Sequence, residues 1–247
     1  QNRSKEKNFI NQLGINTVDY KNIYSHKDIE NIEKFLPGIL KTTTLGYDGK
    51  GQYIISNAKD FENIDFNNEY ILEKKINLQK EISIIITRYQ DGNSVVYEPI
   101  ENIHKDQILD TSKIPSNIDQ KIANQSKDNA IKLVNELNYV GTMCVEYFID
   151  ENNDLLVNEI APRVHNSGHL TINAYNISQF ESHIRSVCNL EAIEPVMKSA
   201  AIMQNIIGND IFNYKNKEYK SNEFFFDYLK KEAKPKRKMG HLTTLKI

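Results

Sequence analysis

A chain of 247 residues with 39% apolar and 26% charged side chains is long enough for one large packed domain or two modest ones, and its composition excludes a disordered polypeptide. Its formal net charge of −2 gives no global pull toward nucleic acid or an anionic membrane, and no run reaches the roughly 18 apolar residues of a membrane span. The opening QNRSKEKNF has no signal-peptide core, so a cytoplasmic location is expected, while Gln1 in place of Met is what a processed product or a fragment shows.

Ser4 to Leu13 has helical spacing, with Phe9, Ile10 and Leu13 on one side and Gly14 as its stop. An extended piece through Val18 and Ile23 leads to a second expected helix, Lys27–Leu36, ended by Pro37-Gly38. Ile39–Thr42 and Tyr53–Ile55 read as strands around a glycine loop, 45–52. Gly46, Gly49 and Gly51 there suit either a plain hairpin turn or a backbone cradle for an anion. The loop fits neither GxxxxGK[ST] nor GxGxxG. Lys59–Phe66 is expected to be a short helix and Tyr70–Lys74 a strand. Ile82–Arg88 and Val95–Pro99 read as strands about the Asp91-Gly92 turn. Ile118–Leu137 has the spacing of the longest helix, through Ile122, Ile131, Val134 and Leu137.

Cys144–Ile149 and Leu155–Ile160 are two strand-like runs joined by a polar turn. A turn centred between Asn152 and Asn153 would set Glu146 across from Glu159. Like charges so placed repel unless a divalent cation is shared between them; a solvated face is the other reading. Arg163, His165, Asn166, Ser167 and His169 then crowd donors and ionisable groups into one loop. Zinc between His165 and His169 is disfavoured, because neither Cys144 nor Cys188 stands at ligand spacing; both are expected to be buried, reduced thiols. Gln179–Leu190 reads as a helix with Phe180, Ile184 and Val187 on one apolar face. Short strands are expected at Ser199–Ile207, Asp210–Tyr214 and Glu223–Leu229. The closing run Lys230, Lys231, Lys234, Lys236, Arg237 and Lys238 has no interleaved aromatic platform for nucleic acid and reads as a solvated tail.

Four segments carry a resemblance: GYDGKGQ, EKKI with the later Glu81 and ENIH, VNEIAPRVHNSGHLT with SQFE, and KPKRKMGHLT. They resemble the N5-carboxyaminoimidazole ribonucleotide synthetases, bicarbonate-using ATP-grasp enzymes of purine biosynthesis. The resemblance implies an α+β ATP-grasp fold over residues 1–191, two subdomains clamping ATP with a lid at about 42–100, followed by a small β-rich domain over 192–247. It implies ATP and Mg²⁺ as cofactors, and carboxylation of 5-aminoimidazole ribonucleotide by bicarbonate through carboxyphosphate.

Residue by residue, the resemblance gives Lys41, Gly46, Tyr47, Asp48, Gly49, Lys50, Gly51 and Gln52 to the nucleotide phosphates. Glu73, Lys74, Lys75 and Ile76 go to the base, Glu81 to the ribose, His104 to the neighbourhood of the nucleotide, and Asn158 joins Glu159 there. Glu146 and Glu159 would hold Mg²⁺. Arg163 and His165 would act on bicarbonate and carboxyphosphate, with Asn166 and Ser167 donating further hydrogen bonds. Tyr47, Asp48 and Lys50 would close over substrate, and Lys230 and Arg237 would take the ribonucleotide phosphate. Leu45 and Leu229 stand where the family usually has glycine.

Family members begin with a nucleotide-fold domain whose glycine-rich turn has no counterpart in this sequence, so the resemblance implies the later portions without the first. With that domain present, a homodimer is implied. Two other readings stay open: a sister ATP-grasp enzyme, such as a formate-using transformylase or a biotin carboxylase, and a nucleotide-binding remnant without turnover.

Overall fold

The computed structural model describes residues 2–44 and 51–246. The expectations for Leu45, Gly46, Tyr47, Asp48, Gly49 and Lys50 fall outside them. The chain divides into two compact units, residues 1–79 with 148–159, and residues 80–147 with 160–247.

In the first unit, α1 (Arg3–Gln12) starts at Asn2, whose side chain accepts from the Lys5 N–H, and stops before Gly14 at φ +70°. The strands β1 (Tyr20–Ile23), β2 (Gly38–Thr42), β3 (Gln52–Ile55) and β4 (Tyr70–Lys74) form an antiparallel sheet in the order β1-β4-β2-β3. Leu40 pairs with Leu72, and both enter a core with Ile23, Phe35, Phe61 and Tyr70. Side chains alternate along a strand, so the opposite face carries Lys41 and Glu73.

Two expected helices are shorter here. Lys27–Leu36 is two 3₁₀ turns, His26–Ile29 and Glu33–Phe35. The Asp28 carboxylate accepts the Tyr24 and Ser25 N–H groups, and Asn31 at φ +57° interrupts any continuous helix. Lys59–Phe66 is a 3₁₀ stretch, Ala58–Asn63, closed by Asn57 and Asp60 in the same manner.

The second unit is built on β5 (Leu78–Arg88), β6 (Ser94–Val96), β7 (Ile100–Lys105) and β8 (Ile108–Ile114). The helix α2 (Gln120–Glu136) follows, burying Ile122, Ala130, Leu133 and Val134, whereas Ile131 and Leu137 face outward. The division of the chain runs through β9 (Gly141–Asp150) and β10 (Leu155–Ala161), because Phe148–Glu159 groups with the first unit. Then come α3 (Thr171–Ala174), α4 (Gln179–Val187), β11 (Ala200–Ile207), α5 (Ile211–Lys215), β12 (Glu223–Asp227) and β13 (Lys238–Lys246). The strand order continues β5-β7-β8-β11-β13-β12, with β6 on β5.

Several expectations are corrected by this sheet. The β7–β8 hairpin is not signalled by alternation, and Lys238, the end of the basic run, opens the strand β13 between β11 and β12 rather than a tail. Asp210–Tyr214 is helical, because Ile211 turns inward to pack with Ile206, Met239 and Leu242. On α4 the expected apolar face is outward: Ile184 is 55% exposed, while Gln179, Ser182 and Ser186 are fully buried. Cys188 at the end of α4 is accordingly exposed, and Cys144 is buried.

At the turn after β9, the Asp150 N–H donates to the Asp154 carbonyl, the Asn153 N–H donates to the Asp150 carbonyl, and Asn153 has φ +63°. This is a three-residue loop with a left-handed last residue. The expected turn centred between Asn152 and Asn153 does not form, so turn geometry gives no ground for setting Glu146 opposite Glu159. Among the described residues, no helix is long and apolar enough to cross a membrane.

Candidate active site

The first unit gathers charge on the α1 side of its sheet. The Lys41 ammonium lies 2.7 Å from one Glu73 carboxylate oxygen, and Lys7 on α1 lies 3.4 Å from the other. All three are buried, so two lysines share one carboxylate. Burial pushes the Glu73 pKa up, but the two lysines outweigh it and hold it below the usual value. Burial is also the larger influence on Lys7 and lowers its pKa against the pull of Glu73. Glu73, expected at the base, is thus an anchor for lysines. In the same unit Arg3 pairs with Glu159 at 3.2 Å. Neither Arg3 nor Lys7 was singled out by sequence, because a cation in an amphipathic helix reads as solvated surface.

Gln52 is the strand partner of Lys41, and Gly51 has φ +71°, where an added Cβ would meet the Thr42 hydroxyl at 2.9 Å. Lys74, Lys75 and Ile76 line a cavity of about 320 Å³ with Asp19, Asn77 and Asp150. The Lys74 and Lys75 N–H groups donate to the Asp19 and Pro37 carbonyls, so they are not the donors a base would meet. Asn158 and Glu159 are consecutive half-buried residues that interrupt the alternation of β10.

In the second unit His104 Nδ1 is 2.7 Å from Glu81 Oε2. Burial lowers the His104 pKa, yet Glu81 outweighs it and the net shift is upward. Glu81, expected at a ribose, thus stands against the His104 ring. His165 Nε2 lies 3.5 Å from Glu146 Oε1. Burial and the neighbouring Arg163 charge bring the His165 pKa down to about 3, so the ring is neutral near pH 7. Ligand atoms of Cys144, Glu146 and His165 lie within 4.8 Å of one another, a proximity that sequence spacing concealed.

The loop that carries His165 is clamped by α4. Gln179 Oε1 accepts the His165 N–H at 2.9 Å, and Gln179 Nε2 donates to the His165 carbonyl at 2.6 Å. A Cβ on Gly168 would stand 2.6 Å from that amide, which explains the glycine. Gln179, on the inward polar face of α4, thus serves the loop. Arg163 is exposed and donates to the Val164 carbonyl. Ser167, expected to face substrate, is fully buried with its hydroxyl 2.9 Å from His165 Nδ1. Asn166 exchanges two amide hydrogen bonds with Asn205, at 3.0 and 2.6 Å.

At the end of the chain Lys230 donates to the Lys238 carbonyl at 2.6 Å, which brings it to the residue after Arg237. Arg237 itself is exposed and donates to the Glu232 carbonyl. Leu229 has φ +54°, the left-handed conformation that favours glycine. Behind it His241 accepts from or donates to Tyr228 at 2.9 Å, and burial lowers the pKa of His241 to about 4 and that of His169 to about 3.

The ATP-grasp domain family matches residues 8–180, and the phosphoribosylaminoimidazole carboxylase C-terminal domain family matches residues 201–246. N5-carboxyaminoimidazole ribonucleotide synthase from Staphylococcus aureus (strain MRSA252) is 39% identical over 99% of this chain and 67% of its own length. The structure of the Staphylococcus aureus synthetase complexed with ADP is 36% identical, with a TM-score of 0.90 over 100% of this chain and 67% of that one. The Aspergillus clavatus synthase in complex with ADP and 5-aminoimidazole ribonucleotide is 26% identical, with a TM-score of 0.90 over 100% of this chain and 68% of that one. This chain spans about two thirds of the length of these relatives. It therefore belongs to the N5-carboxyaminoimidazole ribonucleotide synthase family of ATP-grasp ligases, whose ATP-dependent step lies in purine biosynthesis.

Proposed function

We propose that this chain binds Mg-ATP, phosphorylates bicarbonate, and transfers the resulting carboxyl group to the exocyclic amine of 5-aminoimidazole ribonucleotide. The observation that carries the reading is the neutral His165 ring held beside Glu146 in the second unit. A neutral imidazole next to a carboxylate can donate to or accept from an oxyanion without adding charge at neutral pH. Arg163, exposed on the same loop, supplies the bidentate cationic fork that bicarbonate or carboxyphosphate requires.

In this reading Lys41 meets a nucleotide phosphate, supported by the second lysine, Lys7, that shares its Glu73 partner. Lys74 to Ile76 bound the base, with Glu81 and His104 toward the ribose, and Lys230 with Arg237 take the phosphate of the ribonucleotide. Glu146 in the second unit and Glu159 in the first each offer a hard oxygen ligand on a partly exposed side chain, at 15% and 30%, the ligand chemistry that suits Mg²⁺. Bound Mg²⁺ would neutralise charge on the transferring phosphoryl group. The reading extends to a cytoplasmic location and to self-association as a dimer.

The test is ADP release by this chain with Mg-ATP and bicarbonate, with and without 5-aminoimidazole ribonucleotide. Stimulation by the ribonucleotide that is lost in Glu159→Gln supports the reading. A chain that binds Mg-ATP yet shows no stimulation overturns it.

A further inference from the structure

His165 is joined to a chain of buried polar groups that the proposed chemistry does not use. Its Nδ1 lies 2.9 Å from Ser167 Oγ, and the Ser167 backbone N–H also points at Nδ1, at 3.4 Å. Ser167 Oγ lies 2.8 Å from Ser83 Oγ on β5. Asn102 Nδ2 on β7 donates to Ser83 Oγ at 3.0 Å, and Ser112 on β8 donates to Asn102 Oδ1 at 2.8 Å. Asn102 and Ser112 are direct strand partners, which fixes that end of the chain in the sheet. Ser83, Ser112 and Ser167 are fully buried and Asn102 is 5% exposed, so water does not compete for these groups.

The chain has a direction. A hydroxyl can turn either way, but a carboxamide nitrogen only donates and its oxygen only accepts. With Asn102 Nδ2 donating to Ser83, the Ser83 hydrogen goes to Ser167 Oγ, and the Ser167 hydrogen goes to His165 Nδ1. The backbone N–H of Ser167, at the longer distance of 3.4 Å, leans the same way. The ring hydrogen is then left on Nε2, the atom nearest Glu146.

We propose that Asn102, Ser83 and Ser167 are positioning residues that fix the Nε2–H tautomer and ring orientation of His165, so that it presents a hydrogen-bond donor to the reacting oxyanion. The proposal rests on the reading of His165 as a group that acts on bicarbonate or carboxyphosphate. Outer partners of this kind orient a functional histidine through its second nitrogen.

The test is a long-range ¹H–¹⁵N correlation of the histidine rings of the full chain near neutral pH, with His165→Asn assigning the signal among the six histidines. The expected spectrum has an unprotonated Nδ1 and a protonated Nε2. In Asn102→Asp the carboxylate only accepts, so Ser83 donates into it, Ser167 turns toward Ser83, and the ring shifts toward the Nδ1–H form. Ser83→Ala breaks the chain at small volume change and is expected to give a mixture of tautomers, so it decides the matter if Asn102→Asp fails to fold. Thr87→Val, which removes a different buried hydroxyl pair of β5, is expected to leave the His165 signals in place.

Ribonucleotide-stimulated ADP release in Ser83→Ala is expected to fall about 10- to 100-fold in kcat, with KM for ATP little changed. Wild-type ring signals retained in both relay variants, or a wild-type hydrogen on Nδ1, would overturn the relay. Undiminished turnover in His165→Asn would instead overturn the reading beneath it.

Discussion

Lys7 and Lys41 share the Glu73 carboxylate in the first unit, whereas His165 in the second unit is clamped by an amide and a hydroxyl that carry no charge, with the Glu146 carboxylate only at its far nitrogen. Both arrangements are buried, but they solve different problems. A cluster of two cations on one anion keeps an electrostatic surplus that a polyphosphate can use. A neutral network keeps no surplus; it fixes a direction, because each amide has one donating and one accepting end. The first arrangement suits binding a charged group, and the second suits orienting a ring toward a small reactant.

Acid should separate the two regions most strongly. His165 and His169 have folded pKa values near 3 and His241 near 4, all depressed from 6.5. The unfolded chain therefore binds more protons below pH 6.5, and stability falls as the pH drops through that window toward about 4, by about 1.4 kcal/mol per pH unit for each histidine. Glu73 is depressed from 4.5, so its contribution is lost only below that pH. Urea titrations at about pH 7 and about pH 5.5 should show a marked loss of stability; equal midpoints would mean that the histidines are not neutral in the fold.

Glu73→Gln removes the one anion between two buried lysines and is expected to destabilise by about 3–5 kcal/mol in chemical denaturation. Gln179→Leu leaves the His165 N–H and carbonyl without their partner and should destabilise by about 2–4 kcal/mol, with wild-type helix content retained by circular dichroism. Leu229→Gly relieves a left-handed leucine that is 82% exposed. It is expected to stabilise by about 1 kcal/mol or less, read as a rise in Tm.

Sequence pattern revealed strands better where apolar residues alternate or run together, as in β4, β9 and β10, and less well where a strand is polar on both faces. Residues 101–105 and 238–241 mix charge, amide and histidine, so β7 and β13 gave no periodic signal, although both lie inside the sheet. The α4 helix misled for a related reason: hydrophobic spacing names a face but not its direction, and the polar face turned inward, where Gln179 holds the His165 loop, Ser182 bonds Tyr97 and Ser186 bonds the His183 carbonyl. Motif spelling pointed to His165 and Lys41 and included Gln179 and Asn102 within SQFE and ENIH, but it did not give their supporting roles. Lys7, Gln179, Asn102 and Ser83 become meaningful only when distant strands bring them within hydrogen-bond or ion-pair reach.

The central claim is that the charged cluster binds the nucleotide and the neutral one orients the chemistry. Its most direct test is to titrate Mg-ATP calorimetrically into Lys41→Met and His165→Asn, and to follow ribonucleotide-stimulated ADP release in the same preparations. Lys41→Met is expected to bind nucleotide about tenfold or more weakly, a loss of about 1.4 kcal/mol. His165→Asn is expected to bind it as the parent does while turnover falls about 100-fold. Equal loss of nucleotide affinity in both variants, or turnover retained in His165→Asn, would contradict the division of labour.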